Sequence, residues 1–580
     1  MCAINGMTRV DREFVTGMNA RTMHRGPDGG DVVAHAHAQA PVTIGHRLLS
    51  LRGSVELGAQ PIMVDNGRHI LAYNGEIYNC DALQNMLAAK GVTVSAQCDT
   101  QILAKGLEIF GIDFVAHLDG MFAFAWYCQE TQKLWLARDA SGIKPLYYCF
   151  DRDGALAFSS EIRGLSPLFS KNDLNDAALK TYLQLGYTIP PHTLWNGVSK
   201  LAPGQVIAFD YKNKKLETHY YSEQRTPYAP QGDHVKAIGE TLEASLQAAI
   251  VGYRPLGLYL SGGLDSSICL ALLHRLGFTP HLLTTRFETS LPRAQDIYND
   301  DALHAERYAK ELGLPITVLT VTERDFVDEI GKTAAILEEP IYNRSSPAYY
   351  LANKAMHALG AVITASGDGG DELFMGYNKY KIAQHCLPTQ HHDAKTLAAS
   401  WLGVNYQANF TDNNQQFEKL VTIYRQNHPH PNDVVNMHAL LDQKLWMAED
   451  VMTRNDKLSM HFGMEGRFPL MLKGLRHLAE AIPAATKMQS TTKSLLREVC
   501  MAYLPEYLRN KRKTGWASPT EIWRQNKYGA FSTYLQDTKT RKYGKWLMQN
   551  AAYEQACQTP FNKKTIYYTN SLLGALEAHG

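Results

Sequence analysis

The chain has 580 residues, 45% of them apolar and 20% charged, and its 58 Lys and Arg against 57 Asp and Glu leave a formal charge of +1. That length exceeds what one ordinary core sustains, so two or more domains are expected in a soluble globular chain. Near-neutrality with no long basic run excludes an electrostatic footprint for nucleic acid, and no stretch reaches the roughly 18 apolar residues of a membrane span.

The N-terminus, MCAINGMTRV, has no basic region followed by an apolar one, so no leader is predicted. Nine scattered cysteines with no CxxC pair argue against a zinc or thioredoxin motif, and an odd count fits reduced thiols in the cytoplasm. Short apolar or alternating runs at 42–49, 69–73, 121–127, 133–138, 145–150 and 155–159 predict strands between turn residues, with one helical pattern at 100–109. Strands with few helices predict an α+β sandwich over 2–215. A linker is placed at 216–234, where the polar stretch 221–233 carries two prolines.

From about residue 235 the rhythm changes. Strands at 256–260, 281–287, 316–321 and 361–365 alternate with helices at 267–276 and 301–312. This order predicts a parallel α/β sheet over 235–525, with its site at the carboxyl ends of the strands. Beyond 385 the chain reads as mainly helical, and 526–580 as an extension. The basic cluster 509–513 reads as a solvated face rather than a phosphate contact.

Chemistry begins at Cys2. Removal of Met1 would free its α-amine, which can serve as general base for the neighbouring thiol. Alone, a cysteine in second position is weak evidence, but it stands with Arg25-Gly26-Pro27-Asp28, Gly45-His46-Arg47-Leu48, Asn74-Gly75-Glu76, Asp99, Arg138-Asp139 and Lys144-Pro145. Attack on an amide makes an oxyanion, and an Asn-Gly turn offers a side-chain amide and a backbone N–H to hold it. The other interpretation of that dipeptide is a plain hairpin turn. A guanidinium suits an α-carboxylate and a carboxylate suits an α-ammonium.

In the second half, Leu260-Ser261-Gly262-Gly263-Leu264-Asp265-Ser266 joins a strand to a helix. Its small residues let the backbone approach a pyrophosphate, and no Walker lysine follows. A second loop, Ser366-Gly367-Asp368-Gly369-Gly370-Asp371-Glu372, follows the strand at 361–365. Arg454-Asn455-Asp456-Lys457, Met464 to Pro469 and Lys493-Ser494-Leu495-Leu496-Arg497 come later.

Taken together these motifs resemble the glutamine-hydrolysing asparagine synthetase family. Over about 2–200 the chain resembles class II glutamine amidotransferase domains, whose fold is the N-terminal-nucleophile αββα sandwich. Over about 240–525 it resembles an ATP-pyrophosphatase synthetase domain of the adenine nucleotide alpha hydrolase type. The resemblance implies Cys2 as nucleophile and Asn74 and Gly75 as oxyanion donors. It places glutamine against Arg47, Leu48, Leu51, Asn74, Gly75, Glu76 and Asp99. ATP would meet Leu260, Ser261, Gly262, Gly263, Asp265, Ser266, Thr285, Ser366 and Gly367. Mg²⁺ would be held by Asp265 and Asp371, Lys493 would neutralise charge on the phosphates in the transition state, and Asp368 would act in amide formation. The implied reaction uses glutamine, ATP and an acceptor acid, aspartate first, through an acyl-adenylate, in a homodimer. The stretches 454–460 and 464–469 resemble the family's helical segment and are expected to be helical.

Two departures stand out. Asp368 replaces the usual glutamate of SGEGSDE, and Met471 ends the family's PFLD as FPLM. Both put the acceptor acid in question and leave open another carboxylate, a sugar uronate or a biosynthetic intermediate. A family member with an inactive glutaminase half, or a non-catalytic homologue, is disfavoured by the complete Cys2, Arg47, Asn74-Gly75 and Asp99 set.

Overall fold

The computed structural model describes residues 2–94, 98–170, 173–225, 232–289, 292–386, 392–406 and 415–538. The first half holds twelve strands: β1 (Cys2–Met7), β2 (Gly29–His35), β3 (Val42–Leu48), β4 (Ile62–Val64), β5 (His69–Ile77), β6 (Gly120–Cys128), β7 (Lys133–Arg138), β8 (Tyr147–Phe150), β9 (Leu156–Ser159), β10 (Val198–Lys200), β11 (Gln205–Asp210) and β12 (Lys215–Tyr220). They form two six-stranded sheets, ordered β10-β8-β9-β1-β3-β2 and β12-β11-β7-β6-β5-β4.

Period-two alternation sets which face each sheet buries. Ile4, Val42 and Ile44 of the first sheet meet Ile70, Ala72, Ala123, Ala125, Leu134 and Leu136 of the second in one buried cluster. The outer faces are apolar as well and need helices over them. Met7 and Tyr147 pack under Val15, Met18, Leu179 and Tyr182, from the helices Arg12–Arg21 and Asp176–Leu185. Leu71 and Tyr73 pack under Leu83, Leu87, Ile102 and Leu103, from Cys80–Ala88 and Asp99–Phe110. The result is the αββα sandwich. Strand β12 reaches Tyr220, so the sheet extends into the segment expected to be linker.

The second half is built on a five-stranded parallel sheet, ordered β15-β14-β13-β16-β17. Its strands are β13 (Leu256–Tyr259), β14 (His281–Phe287), β15 (Ile316–Val321), β16 (Ile363–Ala365) and β17 (Glu465–Arg467). The helix Leu264–Arg275 crosses from β13 to β14, and its Ile268, Leu272 and Leu273 enter the core with Leu258 and Leu282. One expectation is corrected here: residues 465–467 are not helical but an edge strand, paired Ile363↔Glu465 and Ala365↔Arg467. Three residues reading Glu-Gly-Arg carry no apolar pattern, so only the partner strand reveals them. Residues 442–452 form a π-helix rather than an α-helix. Among the described residues no helix is long and apolar enough to cross a membrane.

Buried ions join the halves. Arg25, fully buried, meets Asp456 at 2.8 Å and Glu161 at 3.0 Å. Glu449 receives Arg138 at 3.0 Å and Lys200 at 2.7 Å. Glu338 takes Arg163 at 2.8 Å and Lys457 at 2.7 Å. The RGPD arginine therefore does more than order its own loop, since it reaches the helix Thr453–Met460 of the other half.

Candidate active site

Cys2 opens β1 and is buried, and burial pushes its thiol up despite a backbone hydrogen bond from Leu49. Its main-chain N–H donates to Asn74 Oδ1 at 3.0 Å. Cys2 and its acceptor Asn74 thus come from opposite sheets, on β1 and β5. The other end of the same amide, Asn74 Nδ2, is buried and has no hydrogen-bond partner among the described residues.

Asn74-Gly75 is not a turn, which corrects both turn-based interpretations. It lies inside β5, paired Asn74↔Ala123 and Gly75↔Phe122. Gly75 is there because its neighbour strand is too close: a Cβ would sit 2.1 Å from the Met121 carbonyl oxygen.

Arg47 lies on β3 opposite Ala3, and its Nε donates to the Gly26 carbonyl at 3.1 Å. Among the described residues no carboxylate lies within ion-pair distance of it. Asp99 starts its helix, accepts from the Tyr73 hydroxyl at 2.9 Å and the Ile77 N–H at 3.1 Å, and is pushed up by burial. Glu76 is pushed up to about 8 by burial and then by Asp99. Arg467 at 3.3 Å and Arg52 at 3.4 Å oppose that rise without reversing it. Leu48 is buried at the end of β3. Leu51 packs with Ile363 and Met460, in the cluster that reaches the second half.

The second site is a cavity of about 400 Å³ at the loops leaving β13 and β16. It is lined by Leu260, Ser261, Gly263, Asp265, Ser266, Thr285, Ser366, Gly367, Asp368, Asp371 and Lys493. Gly262 lies behind the lining with φ +70°, and a Cβ there would meet the Asp301 carbonyl oxygen at 2.2 Å. The Ser261 N–H donates to Ser266 Oγ at 3.1 Å and the Gly263 N–H to Ser261 Oγ at 3.3 Å. The helix Leu264–Arg275 then starts with no side-chain cap, which leaves N–H groups at its first turn for an anion.

Lys493 sits between two carboxylates, 2.5 Å from Asp265 Oδ2 and 2.6 Å from Asp371 Oδ1. Its own backbone is left-handed, at φ 57°, an uncommon conformation for a side-chain-bearing residue. Lys513 adds a contact of 2.5 Å to Asp371 Oδ2. Burial opposes the Asp371 charge, yet the two lysines hold it below the usual carboxylate range. Asp265 Oδ1 is buried with no hydrogen-bond partner among the described residues. Two hard oxygen donors, one of them unpaired, fit a Mg²⁺ ion that draws its other ligands from phosphate and water. Among the described residues no third His, Cys, Asp or Glu joins them as a metal cluster. Asp368 accepts from the Ser366 hydroxyl at 2.8 Å and is pushed up by burial.

The basic cluster at 509–513 is not merely a solvated face. Lys511, Arg512 and Lys513 line the cavity. Lys511 pairs with Asp300 at 2.9 Å and also with Asp301. Partners some two hundred residues upstream leave no mark in the local sequence.

The family model for asparagine synthase matches residues 237–573, and that for a glutamine amidotransferase domain matches residues 1–222. The chain belongs to the asparagine synthase family. It is accordingly a ligase with a glutamine amidotransferase domain. It is 27% identical over 577 residues to asparagine synthetase [glutamine-hydrolyzing] 1 of Bacillus subtilis, covering 92% of this chain and 89% of that one. It is 30% identical over 412 residues to the putative asparagine synthetase [glutamine-hydrolyzing] 2 of Methanocaldococcus jannaschii, covering 65% of this chain and 76% of that one. Amidase chry2 of Gibberella zeae is 24% identical over 583 residues, with 86% and 84% covered.

Within this asparagine synthase architecture the two departures meet. Met471 packs beneath the loop that carries Asp368: a Cβ on Gly369 would lie 2.4 Å from the Met471 sulfur. Sequence reasoning also missed the aromatic part of the cavity wall. Tyr349 packs edge-on against Trp516 at 6.1 Å, and Tyr377 against Trp446 at 5.9 Å. Arg454, held by Asp450 at 3.2 Å, lies over Tyr349. The π-helix supplies Trp446, Met447 and Val451 to this wall, which is where such helices tend to occur.

Proposed function

We propose that the chain releases ammonia from glutamine at Cys2 and uses it, at the cost of ATP, to amidate a carboxylic acid in the second cavity. Aspartate is the first acceptor, giving asparagine, AMP, pyrophosphate and glutamate. The observation that carries this is the divided Asn74 amide. One end holds the Cys2 nitrogen, and the other is a buried N–H donor with nothing to donate to until an oxyanion forms.

Once Met1 is removed, the Cys2 α-amine takes the thiol proton and the thiolate attacks the glutamine amide carbon. Asn74 Nδ2 and the Gly75 N–H stabilise the oxyanion; on collapse the Cys2 α-ammonium returns its proton to the leaving nitrogen, so ammonia departs and leaves a glutamyl thioester that water hydrolyses to glutamate and free thiol. Arg47 takes the glutamine α-carboxylate and Asp99 its α-ammonium. In the second half the acceptor carboxylate attacks the α-phosphorus of ATP, forming an acyl-adenylate and pyrophosphate. Mg²⁺, when held by Asp265 and Asp371, neutralises phosphate charge. Lys493 and the first turn of the helix Leu264–Arg275 bind the pyrophosphate. Ammonia attacks the acyl carbon, AMP leaves, and Asp368 accepts the proton.

A second acceptor class, a larger carboxylic acid such as a sugar uronate, is favoured by one observation. The Asp368 side chain is one methylene shorter than the family's glutamate and its loop is backed by Met471, beside a wall of Tyr349, Trp516, Tyr377 and Trp446. ATP–pyrophosphate exchange across candidate acids decides between them. Exchange stimulated by aspartate supports the first acceptor. Silence with aspartate and a response to a uronic acid supports the second, and exchange with no acid at all sinks the adenylation chemistry.

A further inference from the structure

Strand β17 is three residues long and touches both sites. The Arg467 carbonyl accepts from the Ser366 N–H at 3.3 Å, at the start of the loop that carries Asp368 and Asp371. The guanidinium of the same residue is 1% exposed and reaches the other half of the molecule. Its Nη2 donates to Glu76 Oε2 at 3.3 Å, one residue beyond Gly75. Its Nε donates to Glu465 at 2.7 Å, and its Nη1 to the Ala249 carbonyl at 2.8 Å and the Val251 carbonyl.

A guanidinium has five donors in a fixed fork. Here the fork is engaged in two dimensions: a carboxylate of the glutamine pocket, a carboxylate of its own strand, and two carbonyls at the end of the helix His234–Ala249 and the turn beyond it. A planar group held by four hydrogen bonds shifts as a body when one partner moves. Its body is the strand, and the strand is registered Ala365↔Arg467 against β16, which runs directly into Ser366.

We infer that Arg467 is a positioning residue that couples the glutamine pocket to the nucleotide loop, its side chain following Glu76 and its main chain setting Ser366. This rests on the proposed amidotransferase function. Arg52 is the comparison: it also contacts Glu76, at 3.4 Å, and donates to the Ile77 carbonyl and Cys80 Sγ of the first half. Occupancy of the glutamine pocket can therefore reach the loop through Arg467.

The test measures glutamate and AMP formed in the same reaction. In the wild-type protein they should match. Arg467→Lys keeps the charge and loses the fork. It should form glutamate in excess over AMP by about fivefold or more, the lower end of typical coupling between sites, while ammonia-dependent AMP formation stays at the wild-type rate. Arg52→Gln should keep the two products matched. The coupling role is overturned if Arg467→Lys keeps glutamate and AMP matched, if it loses ammonia-dependent turnover as well, or if Arg52→Gln uncouples to the same extent. Should Arg467→Lys not fold, hydrogen exchange of Cys2→Ala protein with and without glutamine gives the answer. Slower exchange over 366–371 on adding glutamine supports the coupling, and unchanged exchange overturns it. A wild-type protein that forms no glutamate from glutamine would instead refute the proposed function, which the same product measurement shows separately.

Discussion

Asn74 has two services in the proposed mechanism, which makes it a more informative target than Cys2. Its Oδ1 accepts from the Cys2 nitrogen, and its buried Nδ2, without a partner among the described residues, is the proposed oxyanion donor. Asn74→Ala removes both services while leaving β5 paired through its backbone. Loss of one preset oxyanion donor costs about a hundred- to a thousandfold in turnover. Glutamine-dependent amide formation should fall by at least that much, and turnover with ammonium salts should be unaffected. Equal losses with both nitrogen sources would mean that Asn74 acts through the fold and not through the oxyanion. Cys2→Ala gives the reference value for complete loss of the glutamine route.

At the scale of elements, the site of the second half depends on how sharply the chain turns between β13 and the helix Leu264–Arg275. Gly262 is the pivot, left-handed and pressed against the Asp301 carbonyl. Gly262→Ala puts a side chain where an L-residue costs about 1–2 kcal/mol in backbone energy alone, before the 2.2 Å contact is relieved. The loop must shift, so ATP–pyrophosphate exchange should weaken at least tenfold while glutamate release at Cys2 persists. Wild-type exchange in this variant would show that the loop does not cradle the nucleotide. This loop was legible in the sequence because strand, small residues and helix follow one another locally, and β14 and β15 were legible as bounded apolar runs. β1 was not, since all six of its residues are buried and it shows no alternation. Nor was β17, whose Glu-Gly-Arg becomes a strand only through β16. The cavity lysines 511 and 513 read as solvent-facing because their carboxylate partners are remote in sequence. Site residues supplied by contiguous motifs were thus readable, and those supplied by tertiary contact were not.

The whole molecule is held across its two halves by buried charge rather than by apolar surface alone. Burial opposes ionisation of Glu449, Glu338 and Glu161. Yet Lys200 and Arg138 hold Glu449 below the ordinary carboxylate range, Lys457 and Arg163 do so for Glu338, and His24 and Arg163 for Glu161. A depressed folded value means that the unfolded chain binds a proton first as pH falls. The stabilisation is therefore complete above the unfolded value of about 4.5 and is lost below it, as pH passes down through the folded values. The thermal midpoint should accordingly hold steady near neutrality and drop steeply between about pH 5 and pH 3. Glu449→Gln tests the origin of that slope. It leaves Arg138 and Lys200 buried without their shared carboxylate, so at neutral pH it should cost about 3–5 kcal/mol, the usual penalty for breaking a buried pair from one side. It also removes one of the protons taken up on acid unfolding, so the fall in midpoint below about pH 5 should be shallower than in the wild type. A variant that is destabilised at neutral pH but keeps the full acid slope would locate the acid sensitivity elsewhere, and one with an unchanged midpoint would show that the seam between the halves does not depend on this cluster.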